Sequence, residues 1–197
     1  MSYMNMLKIL NFLLLSLLAT SCGWHLVPPQ GQENRYTMNV PYVYGDGDGS
    51  MTSHLVKEIE KQSSFHYVHD GGEITLKVEL LDNKSENIGY RFDPDKLYDG
   101  KHKTIPSETR RKILAQVTVI DTNSQKVLLG PSHILTSVEF DHQYYNLSHN
   151  INRFSLGQLT DVDTTYDVVD IPLYRALSRD IATYLENNVD LIAGARK

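Results

Sequence analysis

The sequence predicts an α+β two-layer sandwich, a mainly antiparallel sheet of four to five strands with two helices on one face. Three observations lead there. Ile74, Leu76, Val78 and Leu80 alternate with Thr75, Lys77 and Glu79, the pattern of a strand with one buried and one wet face. Arg110 to Asp121 and Lys126 to Phe140, joined by the turn residues Thr122-Asn-Ser-Gln125, read as a long hairpin with a bend at Gly130-Pro131. Two stretches carry helical spacing: Ser50 to Gln62, with Leu55, Val56 and Ile59, and Ile171 to Asn187, with Leu173, Leu177, Ile181, Tyr184 and Leu185.

The remaining elements follow in chain order. Tyr36, Met38, Val40, Tyr42 and Tyr44 alternate, so a first strand is expected over 36–44; Pro41, which cannot donate to a ladder, belongs at an edge or bulge. In Gly45-Asp-Gly-Asp-Gly49, Asp46, Asp48 and Ser50 fall on the first three ligand spacings of a calcium loop. Met51 stands where that loop needs glycine and Lys57 where it needs glutamate, so a turn leading into a helix is the better reading. After the strand at 74–80, Leu81 to Lys84 reads as a turn and Ile88, Tyr90 and Phe92 as a short strand. Residues 93–109 form a long polar excursion and 141–165 a second irregular stretch. Asp170 is expected to cap the last helix, with Pro172 in its first turn, and residues 189–197 are expected to form a loose tail.

The N-terminus carries a different kind of information. One cation, Lys8, precedes the apolar run Ile9 to Leu18, and Ala19-Thr20-Ser21 then leads to Cys22, the single cysteine of the 197 residues. A charged start, a short apolar middle and small residues make a secretory signal. The run falls short of the roughly 20 apolar residues that cross a bilayer. Small residues immediately before a cysteine with no disulfide partner in its chain resemble a lipobox, where a thiol receives diacylglycerol before cleavage. The expected organisation is a lipoprotein signal peptide over 1–21, a lipidated N-terminus and polar tether over 22–35, one domain over 36–188 and the tail over 189–197. One acyl chain holds a protein to a membrane only marginally, at about 0.8 kcal/mol per methylene, whereas the several chains of a lipoprotein cysteine hold it stably. Gly23 occupies the place where aspartate retains many lipoproteins in the inner membrane, so the periplasmic side of the outer membrane is the expected location.

Cleavage after residue 21 leaves 176 of 197 residues, enough for one well-packed domain. It removes one of 19 basic side chains, leaving 18 against 24 acidic ones, net −6. That balance argues against nucleic acid as a partner and offers anionic lipid no bulk attraction, so anion binding must rest on local clusters. The densest is Arg110-Arg111-Lys112. It is either a solvated start to a strand or a patch for lipopolysaccharide phosphates, which guanidinium grips with paired hydrogen bonds. Strand alternation sends Arg110 and Lys112 to one face and Arg111 to the other.

A search for chemistry returns no constellation. His66 and His69 lie three apart in an extended segment and point apart; His142 and His149 have no cysteine to help them hold a metal. Ser132-His133 and Ser148-His149 are sequence neighbours only, without a nucleophile elbow. The reading is of a protein that is no enzyme, with no metal and no cofactor beyond the covalent diacylglycerol and acyl chain on Cys22.

Cys22-Gly-Trp-His-Leu26 resembles the start of the mature LPS-assembly lipoproteins, the LptE family, which begin with a lipidated cysteine, a glycine, an aromatic residue and a short polar tether. The order of strand, helix, hairpin ending near Phe140-Asp141 and closing helix is similar too. The resemblance implies an LptE-like domain that plugs the lumen of an LptD-like outer-membrane β-barrel, supports its assembly and engages the lipopolysaccharide that the barrel delivers to the cell surface. It implies no catalysis. The alternative is a periplasm-facing lipoprotein subunit of another envelope or lipid-transport complex, and a specialised hydrolase is a third class for which no residues are found.

Overall fold

The alternation that begins at Ile74 runs much further than its apolar part. The computed structural model describes residues 35–93, 103–141 and 162–196. In it a single strand, β3, extends over Ile74–Asp93 and pairs antiparallel with β4, Lys103–Asp121, which pairs antiparallel with β5, Val127–Asp141. Two short strands complete the sheet: β1, Tyr36–Asn39, and β2, Phe65–Val68. The order is β2-β1-β3-β4-β5, with β1 parallel to both its neighbours. The long ladders are antiparallel, and the α+β two-layer class stands.

The apolar halves of these strands face one way. Ile74, Leu76 and Val78 of β3 and Ile113, Ala115, Val117 and Val119 of β4 are buried, and Leu80 is partly so. Three helices cover them: α1, Ser50–Glu60; α2, Val162–Asn187; and α3, Val189–Arg196. Met51, Leu55 and Ile59 of α1 and Leu173, Leu177, Ile181 and Leu185 of α2 recur every four residues and are fully buried. Such a stripe on one side of each helix is what a helical layer on a sheet requires. Among the described residues no helix is long and apolar enough to cross a membrane.

Several boundaries depart from the sequence reading, each for a physical reason. The first strand stops at Asn39, and only Tyr44 rejoins the sheet, through a bridge to Glu79; Pro41, which lacks an N–H, lies in the interruption. The turn expected at Leu81–Lys84 does not exist. A register shift between Leu80 and Asp82 lets the strand continue instead, and such a slip exchanges the two faces of everything beyond it. Asp82, Lys84 and Glu86 therefore lie on the face opposite to Leu76, Val78 and Leu80, so a polar run continues the strand without burying charge. Residues 103–109, expected within the polar excursion, belong to β4 and pair with β3 as far as Asp93. Pro106 is tolerated there because the ladder is already irregular between Gly89 and Tyr90.

The last helix begins at Val162 rather than near Ile171, so Asp170 is no cap and Pro172 sits inside the helix. An interior proline costs a helix about 3 kcal/mol. Val169, one turn before Leu173 and buried with it, keeps the stripe on the sheet across the break. The tail is not loose either. Asn188 donates through Nδ2 to the Tyr184 carbonyl and its own carbonyl accepts from Leu191 and Ile192, which starts α3. Ile192 enters the core, and Arg196 pairs with Glu73 at 2.8 Å and Asp121 at 3.3 Å.

The bend at Gly130-Pro131 is a bulge in the β4–β5 ladder, where Val117 faces Ser132 but Val119 faces Leu129. Gly130 has φ 90°, and a Cβ there would stand 2.5 Å from the Val117 carbonyl oxygen. Only glycine fits. Asp46 replaces a side chain at the N-cap of α1: its carboxylate accepts from the Gly49 and Thr52 N–H groups at 3.1 and 2.8 Å and from the Thr52 hydroxyl at 2.7 Å. Negative charge at a helix N-terminus is favourable, and this is the role of a carboxylate that in sequence evokes a calcium loop.

Candidate functional site

With all three helices on one side, the other face of the sheet has no cover from this chain among the described residues. It divides into two zones. Near the start of β3, a groove of about 560 Å³ is walled by Tyr42 and Tyr44 on one side and by Ile120, Gln125 and Val127 on the other, with Lys77, Glu79, Gln116 and Thr118 on its floor. Tyr42 and Tyr44 are 61% and 72% exposed. Tyr44 is held by backbone bonds at both ends, its N–H to the Val78 carbonyl and its carbonyl to the Leu80 N–H. Leu135 of β5, 62% exposed, lies directly opposite Leu114 on β4, with Leu81 exposed at the bulge. Exposed apolar side chains concentrated on one face are what a partner surface contains.

Beyond the bulge the face becomes ionic. Glu86 of β3, Arg110 of β4 and Glu139 of β5 are directly opposite one another across three strands. Arg110 lies 3.2 Å from Glu86 and 2.5 Å from Glu139, while Lys112 reaches Glu86 at 2.6 Å. Lys112, and then Arg110, hold the Glu86 carboxyl below the usual carboxylate range; Glu139, and then Glu86, raise Arg110 further. Two cations and two anions share this network. A phosphate arriving here must displace Glu86 or Glu139.

The alternation read from the sequence is confirmed: Arg110 and Lys112 share the open face, and Arg111 points to the helices. Arg111 is engaged there with Asp170 of α2 at 2.9 Å and Asn83 at 3.1 Å. The structure thus assembles two of the three predicted residues and assigns the third to holding α2. Reading the residues in sequence missed Glu86, whose register depends on the bulge at Leu81, Glu139, which the β4–β5 ladder places opposite Arg110, and the tyrosine groove, which needs the parallel bridge of Tyr44 to Glu79. The exposed Tyr42 and Tyr44 were visible only as part of an alternating run. Cys22 and the tether lie outside the described residues, as do His142, His149 and Ser148. His66 faces Glu60, with Nδ1 at 3.0 Å from Oε1, while His69 lies beside Asp70. The Ser132 hydroxyl meets the Tyr184 hydroxyl at 2.7 Å, and His133 meets Gln116, so that neighbouring pair serves two different faces.

No family model and no curated protein matches the sequence. Solved structures similar in layout include a minor lipoprotein from Acinetobacter baumannii, at 10% identity over 82% of this chain and 94% of that one, with TM-score 0.39. Rare lipoprotein B from Shewanella oneidensis has 13% identity over 79% and 98%, with TM-score 0.40. A protein from Chlamydia trachomatis has 10% identity over 81% and 99%, with TM-score 0.46. Likenesses at this level assign neither a family nor a function.

Proposed function

We propose that this chain is a lipid-anchored protein of the outer membrane that seats in a large β-barrel and supports the assembly of a translocon delivering lipopolysaccharide to the cell surface. The observation that carries the reading is the sheet face that no described helix covers, with exposed tyrosines and leucines at one end and a ladder of paired charges at the other. A rigid sheet can present such a face without reorganising, and fixed backbone lowers the entropic cost of association. The lipobox-like residues before Cys22 supply the attachment, and the resemblance of Cys22 to Leu26 to the LptE family supplies the partner class. On this reading the protein has no catalytic role, and Arg110 and Lys112 exchange Glu86 and Glu139 for lipopolysaccharide phosphates.

Gentle detergent extraction tests the partner. A barrel protein of large size should copurify, and Tyr44→Glu with Leu135→Glu should release it while circular dichroism stays unchanged. Copurification with an inner-membrane transporter would replace this reading by that of a subunit of another envelope complex. Arg110→Gln with Lys112→Gln should weaken lipopolysaccharide binding about tenfold or more, since a charge-assisted contact contributes about 1.5–3 kcal/mol. Unchanged affinity would remove these residues from the site.

A further inference from the structure

On the helical side, away from the sheet face, α1 and α2 flank a second, open groove of about 610 Å³ lined by four cations, Lys57, Lys61, Arg175 and Arg179, with His54, Glu58 and Glu60. His54, Lys57 and Lys61 follow one another on α1 at spacings of three and four, hence on one side of that helix. Arg175 and Arg179, one turn apart on α2, line the same groove. The acids present are already engaged. Glu58 is bound to Lys61 at 2.6 Å, and Glu60 accepts from the Tyr67 N–H at 2.8 Å with His66 at 3.0 Å and Arg35 at 3.8 Å. Lys57, Arg175 and Arg179 have no carboxylate partner among the described residues.

Most other described cations are paired; Lys77 on β3 and Lys126 in the β4–β5 turn, which bond no carboxylate among the described residues, stand singly. The chain is net −5, and Arg35, Arg110, Arg111, Lys112 and Arg196 all have acidic partners. Three cations in one groove with no carboxylate partner among the described residues raise the local anion concentration in a way that scattered surface charges do not. Two arginines separated by one helical turn offer forked donors suited to tetrahedral oxygen groups, and Lys57 adds a point charge from the opposite wall.

We propose that the groove between α1 and α2, built from Lys57, Arg175 and Arg179 beside His54, is a binding site for a phosphate group, such as the phosphodiester of an anionic phospholipid headgroup. The site is independent of the sheet face, and its chemistry does not depend on the barrel reading. His54 lies within it as a reporter: burial, and then the charges of Arg175 and Lys57, hold its imidazole below the usual histidine range. A bound anion reverses the charge contribution and raises it.

The test uses the full chain in neutral-detergent micelles, with His54 titrated by NMR. Micelles doped with phosphatidylglycerol should raise the His54 pKa, whereas micelles doped with phosphatidylcholine should not. Arg175→Gln with Arg179→Gln should weaken the response at least about tenfold and leave the thermal melting temperature unchanged, because neither side chain has an acidic partner among the described residues. Arg110→Gln with Lys112→Gln should leave the response intact. Inorganic phosphate in place of the lipid separates the two sources: an equal response at similar concentration identifies a soluble phosphate as the ligand, and a much weaker one identifies the headgroup. No response to either anion, or an unaltered response in the arginine double variant, overturns the proposal.

Discussion

Three consecutive basic residues have two different tasks. Arg111, with only 14% of its side chain exposed, bonds Asp170 and Asn83 beneath α2, whereas Arg110 and Lys112 lie among carboxylates at the open surface. Removing one member of a largely buried pair leaves the other charge unsatisfied, while an exposed pair contributes little because water and salt screen it. Arg111→Gln should therefore destabilise the fold by about 1–3 kcal/mol. Arg110→Gln should leave the urea midpoint where it is. Equal midpoints for the two variants would show that the Arg111–Asp170 pair does not hold α2. The same contrast explains why a run of cations in sequence does not amount to a patch in space.

At the scale of elements, the core is carried by a few aligned stripes. Leu76 on β3 and Ile181 on α2 are fully buried on facing layers, so truncating either to alanine should cost about 2–5 kcal/mol by chemical denaturation. A loss below about 1 kcal/mol at both positions would contradict the packing of α2 on the sheet. The short α3 is attached differently. Its Arg196 pairs with Glu73 and Asp121, and Lys126 Nζ donates to the Ala195 carbonyl at 2.6 Å. The Arg196 hydrogen bond holds Glu73 below its ordinary range; Ser124 first, and then Arg196, lower Asp121. Both folded pKa values lie under the unfolded ones. Their contribution is complete above the unfolded values of about 4 and is lost as the pH falls through the folded ones. Amide exchange in α3 should accelerate on going from pH 6 to about pH 3 while the β3–β4 amides stay protected, and Arg196→Gln should abolish most of that difference. An α3 that exchanges equally at both pH values, after correction for intrinsic rates, would rule out the latch.

For the whole molecule, the layered arrangement separates two surfaces: an apolar and ion-paired sheet face, and a cationic groove between the helices. A protein held at its N-terminus can use both at once, one toward a protein partner and the other toward phosphate. Attachment is the premise that most needs a direct measurement. Cells given radioactive fatty acid should incorporate label into the wild-type chain and none into Cys22→Ser, which should accumulate uncleaved or soluble. An unlabelled wild-type protein would end the lipoprotein reading, whatever the sheet face binds.

Much of this was legible without coordinates. Period-two alternation at Ile74–Leu80 and Ile113–Val119 identified the buried face of the sheet, and four-residue spacing identified the stripes of both long helices. The opposite facing of Arg110 and Arg111 followed from the same local geometry. These are relations among chain neighbours, whose directions are dictated by backbone period alone. Tertiary structure decided the rest. The bulge at Leu81 turned an expected turn into continuous strand, because a ladder on β4 was available to satisfy its backbone. Packing against the sheet carried α2 through Pro172 and ordered α3. Charge was decided at the same level: Glu86, Glu139 and Asp170 neutralise one cationic run, while Lys57 of α1 meets Arg175 and Arg179 of α2, far from it in the chain, beside glutamates that bond other groups. An ion pair depends on distance through space, and no pattern along a sequence determines that distance before the elements have packed.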